Sequence, residues 1–215
     1  MRFLFFKSCK LLGERRSMKF MFKNFYMNYA ILILKMMNRE VMIAMLIPKD
    51  YTIIDLETTG FSPNTNHIIE VACVKVRGAV EIDRLQILIR PPQHIPWRIT
   101  NITGINNDLV RNAPRFAEVA QQIYNFLHGE LIVGHNVRFD INFLRKNFAD
   151  SLNVDFNNNS VDTIKLCKKA FPHFDSYALE NVSTKLGINS EHHRALADCL
   201  IVKKVIDCIS TKGVD

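Results

Sequence analysis

Several things are scarce in this 215-residue chain, and each scarcity removes a class of protein. Cysteine comes to five residues (Cys9, Cys73, Cys167, Cys199 and Cys208), an odd number with no Cys-x-x-Cys pair. That argues against a disulfide framework or a thiolate zinc site, and for a reducing, intracellular, cytoplasmic setting. Long apolar runs are missing too. The longest uncharged stretch of the first fifty residues, Asn24 to Leu34, has eleven residues, short of the ~20 that a membrane helix needs. Neither a clean apolar core nor a small-residue cleavage site marks a secretory signal. Net charge is scarce where it would matter. The formal charge of +7 lies in residues 1–50, which carry ten Lys/Arg and three Asp/Glu, whereas residues 51–215 carry eighteen of each. The basic balance is therefore no nucleic-acid footprint on the folded part. No internal repeat is present, and no low-complexity tract beyond a short Asn run at 157–159.

Residues 1–48 stand apart as a basic N-terminal extension. All eight methionines lie there, the last being Met45, mixed with basic residues, Phe and Ile and without a sustained helical or strand period. Four readings stay open. The segment is a mis-assigned start, with translation beginning near Met42 or Met45, which we prefer. Otherwise it is an organelle-targeting leader, an interfacial basic helix, or a partner-binding arm. The expected domain is 49–211.

That domain opens on Tyr51 to Phe61, Tyr-Thr-Ile-Ile-Asp-Leu-Glu-Thr-Thr-Gly-Phe. The β-branched and aromatic start predicts a buried strand. Asp55 and Glu57 follow, two apart, so an extended chain points both carboxylates to one face. Such acids repel unless a positive charge sits between them, and carboxylates suit Mg²⁺ or Mn²⁺. A strand end with two solvated acids is the competing reading.

Further strands are expected over Ile68–Arg77, Glu81–Ile89, Leu131–Val133 and Val161–Thr163. The second and third form a hairpin through Arg77-Gly78-Ala79. Arg90 to Ile99, with three prolines, reads as a surface loop. Thr103-Gly104 reads as a turn or helix lead-in, and Asn107-Asp108 as the cap of a short helix. Apolar residues at helical spacing mark Pro114–His128, Asp140–Phe148, Leu179–Leu186 and Arg194–Ile209, with another helix running from Thr163 through Cys167. Strands first, then alternating helix and strand, give an α/β domain with a mixed sheet flanked by helices.

The remaining acids are weak signals singly. Asp140, in Gly134-His135-Asn136-Val137-Arg138-Phe139-Asp140, stands at a helix start, where it also reads as a cap or dipole partner. Asp162 reads as a structural hydrogen-bond partner. His193 and Asp198 are five apart, about 140° around an ideal helix. They meet only if His193 lies on the loop before the helix, and a lone loop histidine is ordinarily just solvated.

Together the motifs carry more. Asp55-Leu56-Glu57-Thr58-Thr59-Gly60, Ile102-Thr103-Gly104-Ile105, His135-Asn136-x-x-Phe139-Asp140 and His193-x-x-x-x-Asp198 resemble the DEDD 3′→5′ exonucleases, from about Tyr51 to about Cys208. The variant is DEDDh, similar to the proofreading epsilon subunit of bacterial DNA polymerase III. The other subclass places Tyr where this chain has Arg194.

The resemblance implies a ribonuclease H-like fold with a mixed five-stranded sheet, three strands of it an antiparallel meander. It implies that Asp55, Glu57, Asp140 and Asp198 ligate two divalent cations, Mg²⁺ or Mn²⁺, and that His193 is the general base. It places Leu56, Thr58, Gly104, Asn136 and Phe139 at the terminal nucleotide, although Leu56 and Phe139 also read as core residues. The expected reaction releases 5′-mononucleotides from a single-stranded or frayed 3′ end of DNA, in proofreading or repair. The alternatives are RNA 3′-end trimming by the same site and a non-catalytic binding module. The chain ends soon after the last motif, without the polymerase-binding segment of the proofreading subunit and without a glutamine-led clamp-binding peptide. A free-standing enzyme is therefore expected, with a DNA polymerase as the open alternative partner.

Overall fold

The computed structural model describes residues 47–188 and 193–211. Residues 1–46, and with them nearly all of the expected extension, lie outside the described residues, as does His192. The strands are β1 (Tyr51–Thr58), β2 (Ile68–Arg77), β3 (Val80–Leu88), β4 (Ile132–Gly134) and β5 (Ser160–Asp162). The helices are α1 (Trp97–Thr103), α2 (Phe116–Leu127), α3 (Arg138–Leu152), α4 (Thr163–Ala170), α5 (Leu179–Lys185) and α6 (Ala195–Thr211).

The sheet runs β3-β2-β1-β4-β5. β1, β2 and β3 form the antiparallel meander, and β4 and β5 add in parallel. The expected mixed five-stranded sheet is what forms. β2 is buried along nearly its whole length, which accounts for its continuous Ile/Val/Ala run, since a strand covered on both faces has no polar side. One face carries Tyr51, Ile53, Ala72, Val74 and Val76 and packs on Ala195, Cys199, Val202 and Ile206 of α6. The other carries Ile54, Leu56, Val71 and Cys73 against Ile123 and Leu127 of α2 and Phe143, Leu144 and Phe148 of α3. Strand alternation thus sends Asp55 and Glu57 to the α6 side and Leu56 to the opposite core.

Two local expectations are corrected. Residues 97–99 are helical, not loop, because Pro96 holds an extended conformation (φ −61°, ψ 141°) as the N-cap of α1. The prolines end where a missing N–H does no harm. Residues 107–112 form turns, not a helix. The Asn107 side chain accepts from Ile95 N–H (2.9 Å) and donates to Ile95 O (3.3 Å), so it closes the proline loop and caps nothing. Among the described residues no helix is long and apolar enough to cross a membrane.

Candidate active site

β1 carries Asp55 and Glu57 near its carboxyl end, and α6 lies across the same face with Asp198 in its first turn. One carboxylate oxygen of each of these three residues lies within 4.8 Å of the others. Asp140 is not in that trio. It is buried at the start of α3, and its Oδ1 accepts the N–H of Leu56 (3.0 Å), the residue between Asp55 and Glu57. The fourth acid is thereby pinned to β1.

Electrostatics report the crowding. Burial pushes the Asp55 carboxyl well above its ordinary range, and the charges of Asp140, Asp198, Glu57 and Glu70 push it the same way. Burial, with Asp198 and Glu70, raises Glu57 to about 8 against the opposing pull of Arg194. Asp140 is also pushed up by burial, against hydrogen bonds from backbone N–H groups, including that of Leu56, that favour its charged form. Acids held this close titrate as a set and keep protons unless a cation takes their place. An all-oxygen donor set of this kind fits hard divalent ions.

His193 lies on the turn before α6, with φ 67°. Its backbone N–H donates to Asp198 Oδ2 (3.0 Å), while the backbone N–H of Asp198 donates to Arg194 O (3.0 Å). His193 is exposed and lies outside the helix, and it is the backbone amide that this turn brings to Asp198.

The residues expected at a terminal nucleotide are placed unevenly. Leu56 is 6 % exposed and packs in the core, so what it presents toward the acids is its amide. The Thr58 hydroxyl is buried and donates to Gly60 O (2.6 Å). Gly104 ends α1 in the left-handed region (φ 71°), which a side chain rarely adopts. Asn136 is exposed at φ 63°, its N–H on Asp162 Oδ1 (3.1 Å). Phe139 is half-buried against Phe143, with ring centroids 4.9 Å apart. His135 is structural. Its Nε2 lies 2.7 Å from Tyr177 O and its Nδ1 2.9 Å from Thr163 Oγ1, which ties the turn after β4 to α4 and to the segment before α5. Asp162 serves as expected, as the N-cap of α4.

The pattern missed Glu70 and Arg194. Glu70 is cross-strand partner to Glu57 and has no exposed surface. Its carboxylate accepts from Arg194 Nη2 (2.8 Å) and Nε (3.2 Å), Gln86 Nε2 (2.8 Å) and Ala195 N–H (3.0 Å). It thus fastens the His193–Arg194 turn and the start of α6 to the sheet. The signal was an acid inside the apolar run 68–76, because a buried charge requires a partner.

A family model described as Exonuclease (RNase_T) matches residues 52–206. The DNA polymerase III subunit epsilon of Aquifex aeolicus is 33% identical over 156 residues, 72% of this chain and 77% of that protein. The PolC-type DNA polymerase III of Thermotoga maritima is 35% identical over 72% of this chain, which spans 11% of that protein. The 3′-5′ exonuclease DinG of Staphylococcus aureus is 36% identical over 73% of this chain and 18% of its own. Among solved structures, exonuclease X bound to 5′-overhanging duplex DNA matches with a TM-score of 0.61 and 27% identity, covering 74% of this chain and 91% of that one. The chain therefore spans about a tenth of the PolC-type relative and most of the epsilon subunit.

Proposed function

The chain belongs to the exonuclease family, and on that premise we propose that it removes 5′-mononucleotides from the 3′ end of single-stranded or frayed DNA. The observation that carries the reading is the trio Asp55, Glu57 and Asp198, the first two half-buried and the third buried, with Asp140 pinned beside it. In this reading the four acids hold two divalent cations, Mg²⁺ or Mn²⁺. Bound there, the ions supply positive charge for the attacking water and the leaving 3′ oxygen. His193 takes the water's proton, a role suited to histidine at neutral pH. The Leu56 amide orients Asp140. Asn136, Phe139, Thr58 and Gly104 frame the terminal nucleotide, with Phe139 offering a partly open ring to a sugar or base. Relatives named as polymerase III chains make a DNA polymerase the partner class this reading suggests.

The test uses the full chain and 5′-labelled single-stranded DNA and RNA, each with Mg²⁺, Mn²⁺ or chelator. A metal-dependent ladder shortening by single nucleotides from the 3′ end, faster on DNA, is expected. A faster ladder on RNA would move the enzyme to RNA trimming. No ladder on either, from folded protein with metal, would leave only a binding module.

A further inference from the structure

A cleft of about 470 Å³ opens at Asn136, and apart from Asn136 its lining takes no part in the chemistry above. It is lined by Asn136, Arg138, Asn142, Arg145, Asp162 and Lys165, among others. β1, β4 and β5 run parallel, so their carboxyl ends share one end of the sheet. The cleft begins there, at Asn136 and Asp162, and runs down the outer edge of β5 to Ser160 and Asn158, beside α3. Arg138, Asn142 and Arg145 follow at i, i+4 and i+7, so α3 presents them on one face. Asp140, two residues beyond Arg138, turns the other way to reach Leu56.

Three cations, Arg138, Arg145 and Lys165, face one acid in this lining. Arg138, Arg145 and Lys165 form no ion pair among the described residues, whereas Arg77, Arg84, Lys146 and Lys203 all do. Asp162, the one acid in the lining, spends its Oδ1 on the N–H groups of Asn136 (3.1 Å) and Ile164 (3.0 Å). Arg145 donates only Nε, to Phe156 O at 3.4 Å, which leaves its amino groups for a ligand. Two guanidinium groups, an ammonium and two amides in one open cleft match a chain of phosphates.

We infer that this cleft binds the phosphodiester backbone of the strand being degraded, upstream of the nucleotide at the acids. The inference rests on the exonuclease reading above. It makes the cleft a determinant of strand length and affinity, not of the chemical step. In a domain of neutral net charge, these three side chains supply a local positive track.

The test is Arg138→Ala, Arg145→Ala and Lys165→Ala, singly and together, in the full chain, with unchanged thermal unfolding as the control. Two substrates separate the roles: the p-nitrophenyl ester of thymidine 5′-monophosphate, which has no upstream phosphates, and a 16-nucleotide single strand. The triple variant is expected to raise KM for the 16-mer at least ten-fold and to leave kcat and ester hydrolysis unchanged. The slope of log KM against log salt should fall by about 2, at ~0.7 per phosphate contact on a single strand. An unchanged KM and slope, or equal losses on the ester, overturns the inference. Anisotropy of a labelled 16-mer in EDTA reads the cleft without catalysis. If no substrate is cleaved yet binding still falls ten-fold in the triple variant, the exonuclease reading fails and the cleft stands.

Discussion

Replacing Glu70 with Gln tests how the site is held in place. The wild-type carboxylate has no exposed surface and accepts four hydrogen bonds, two of them from Arg194. Burial alone would push this carboxyl up, but the bonds from Arg194, Gln86 and Ala195 outweigh it and hold it below its ordinary range. Breaking a buried pair costs ~3–5 kcal/mol when the surviving charge has no escape. The Arg194 side chain is 41% exposed and can turn to water, so the lower end applies, about 3 kcal/mol. At ~2–4 °C per kcal/mol for a protein of this size, Tm should fall by about 6–12 °C. Urea unfolding of Glu70→Gln, Arg194→Met and the double variant closes a cycle. The expected coupling exceeds about 1 kcal/mol, because the two side chains act as one unit. The turn bearing His193 loses its anchor, so kcat should fall more than KM changes. A loss below about 1 kcal/mol, or additive single effects with kcat intact, would refute the clamp.

Three further outcomes follow from the site. In EDTA, Glu57 with a folded value of about 8 binds a proton that the unfolded chain releases near its ordinary value of 4.5. Its contribution is therefore full below that ordinary value and is lost as pH rises toward 8, so Tm without metal should drop from pH 5 to pH 8 and recover with Mg²⁺ or Mn²⁺; a flat profile would contradict the crowding. His193→Ala should lower kcat by ~10²–10⁴ while leaving calorimetric Mn²⁺ affinity intact, and an unchanged kcat removes His193 as the base. Gly60→Ala places a Cβ 2.6 Å from Asn66 Nδ2. Because Asn66 Oδ1 holds Ser62 N–H (3.0 Å), a cost of ~1–3 kcal/mol is expected in urea, and a neutral substitution would show that the loop yields.

How far the sequence revealed this arrangement depended on range. Asp55 and Glu57 were legible because a two-residue period puts both on one face, and the apolar face of α6 was legible from its helical spacing. The bond from the His193 backbone N–H to Asp198 was not, since helix geometry separates the two residues, and it forms because a left-handed turn sets His193 outside the helix. Glu70 and Arg194 are 124 residues apart, and no local pattern encodes which strand residue a distant turn will meet. Leu56 shows the limit of alternation. Its neighbours point to the site and its own side chain to the core, yet its amide joins the two by holding Asp140. Helix α1 escaped notice because three prolines dominate the segment, though only Pro96 touches the helix, and there as its cap.

The most direct measurement is a Mn²⁺ titration that follows bound ion by electron paramagnetic resonance and nucleotide release from a DNA 3′ end in the same samples. Wild type is compared with the Asp55→Asn, Asp198→Asn double variant. The account predicts that release tracks ion bound at the acids, and that the double variant loses both while remaining folded. Full release without bound Mn²⁺, or undiminished binding in the double variant, would contradict it.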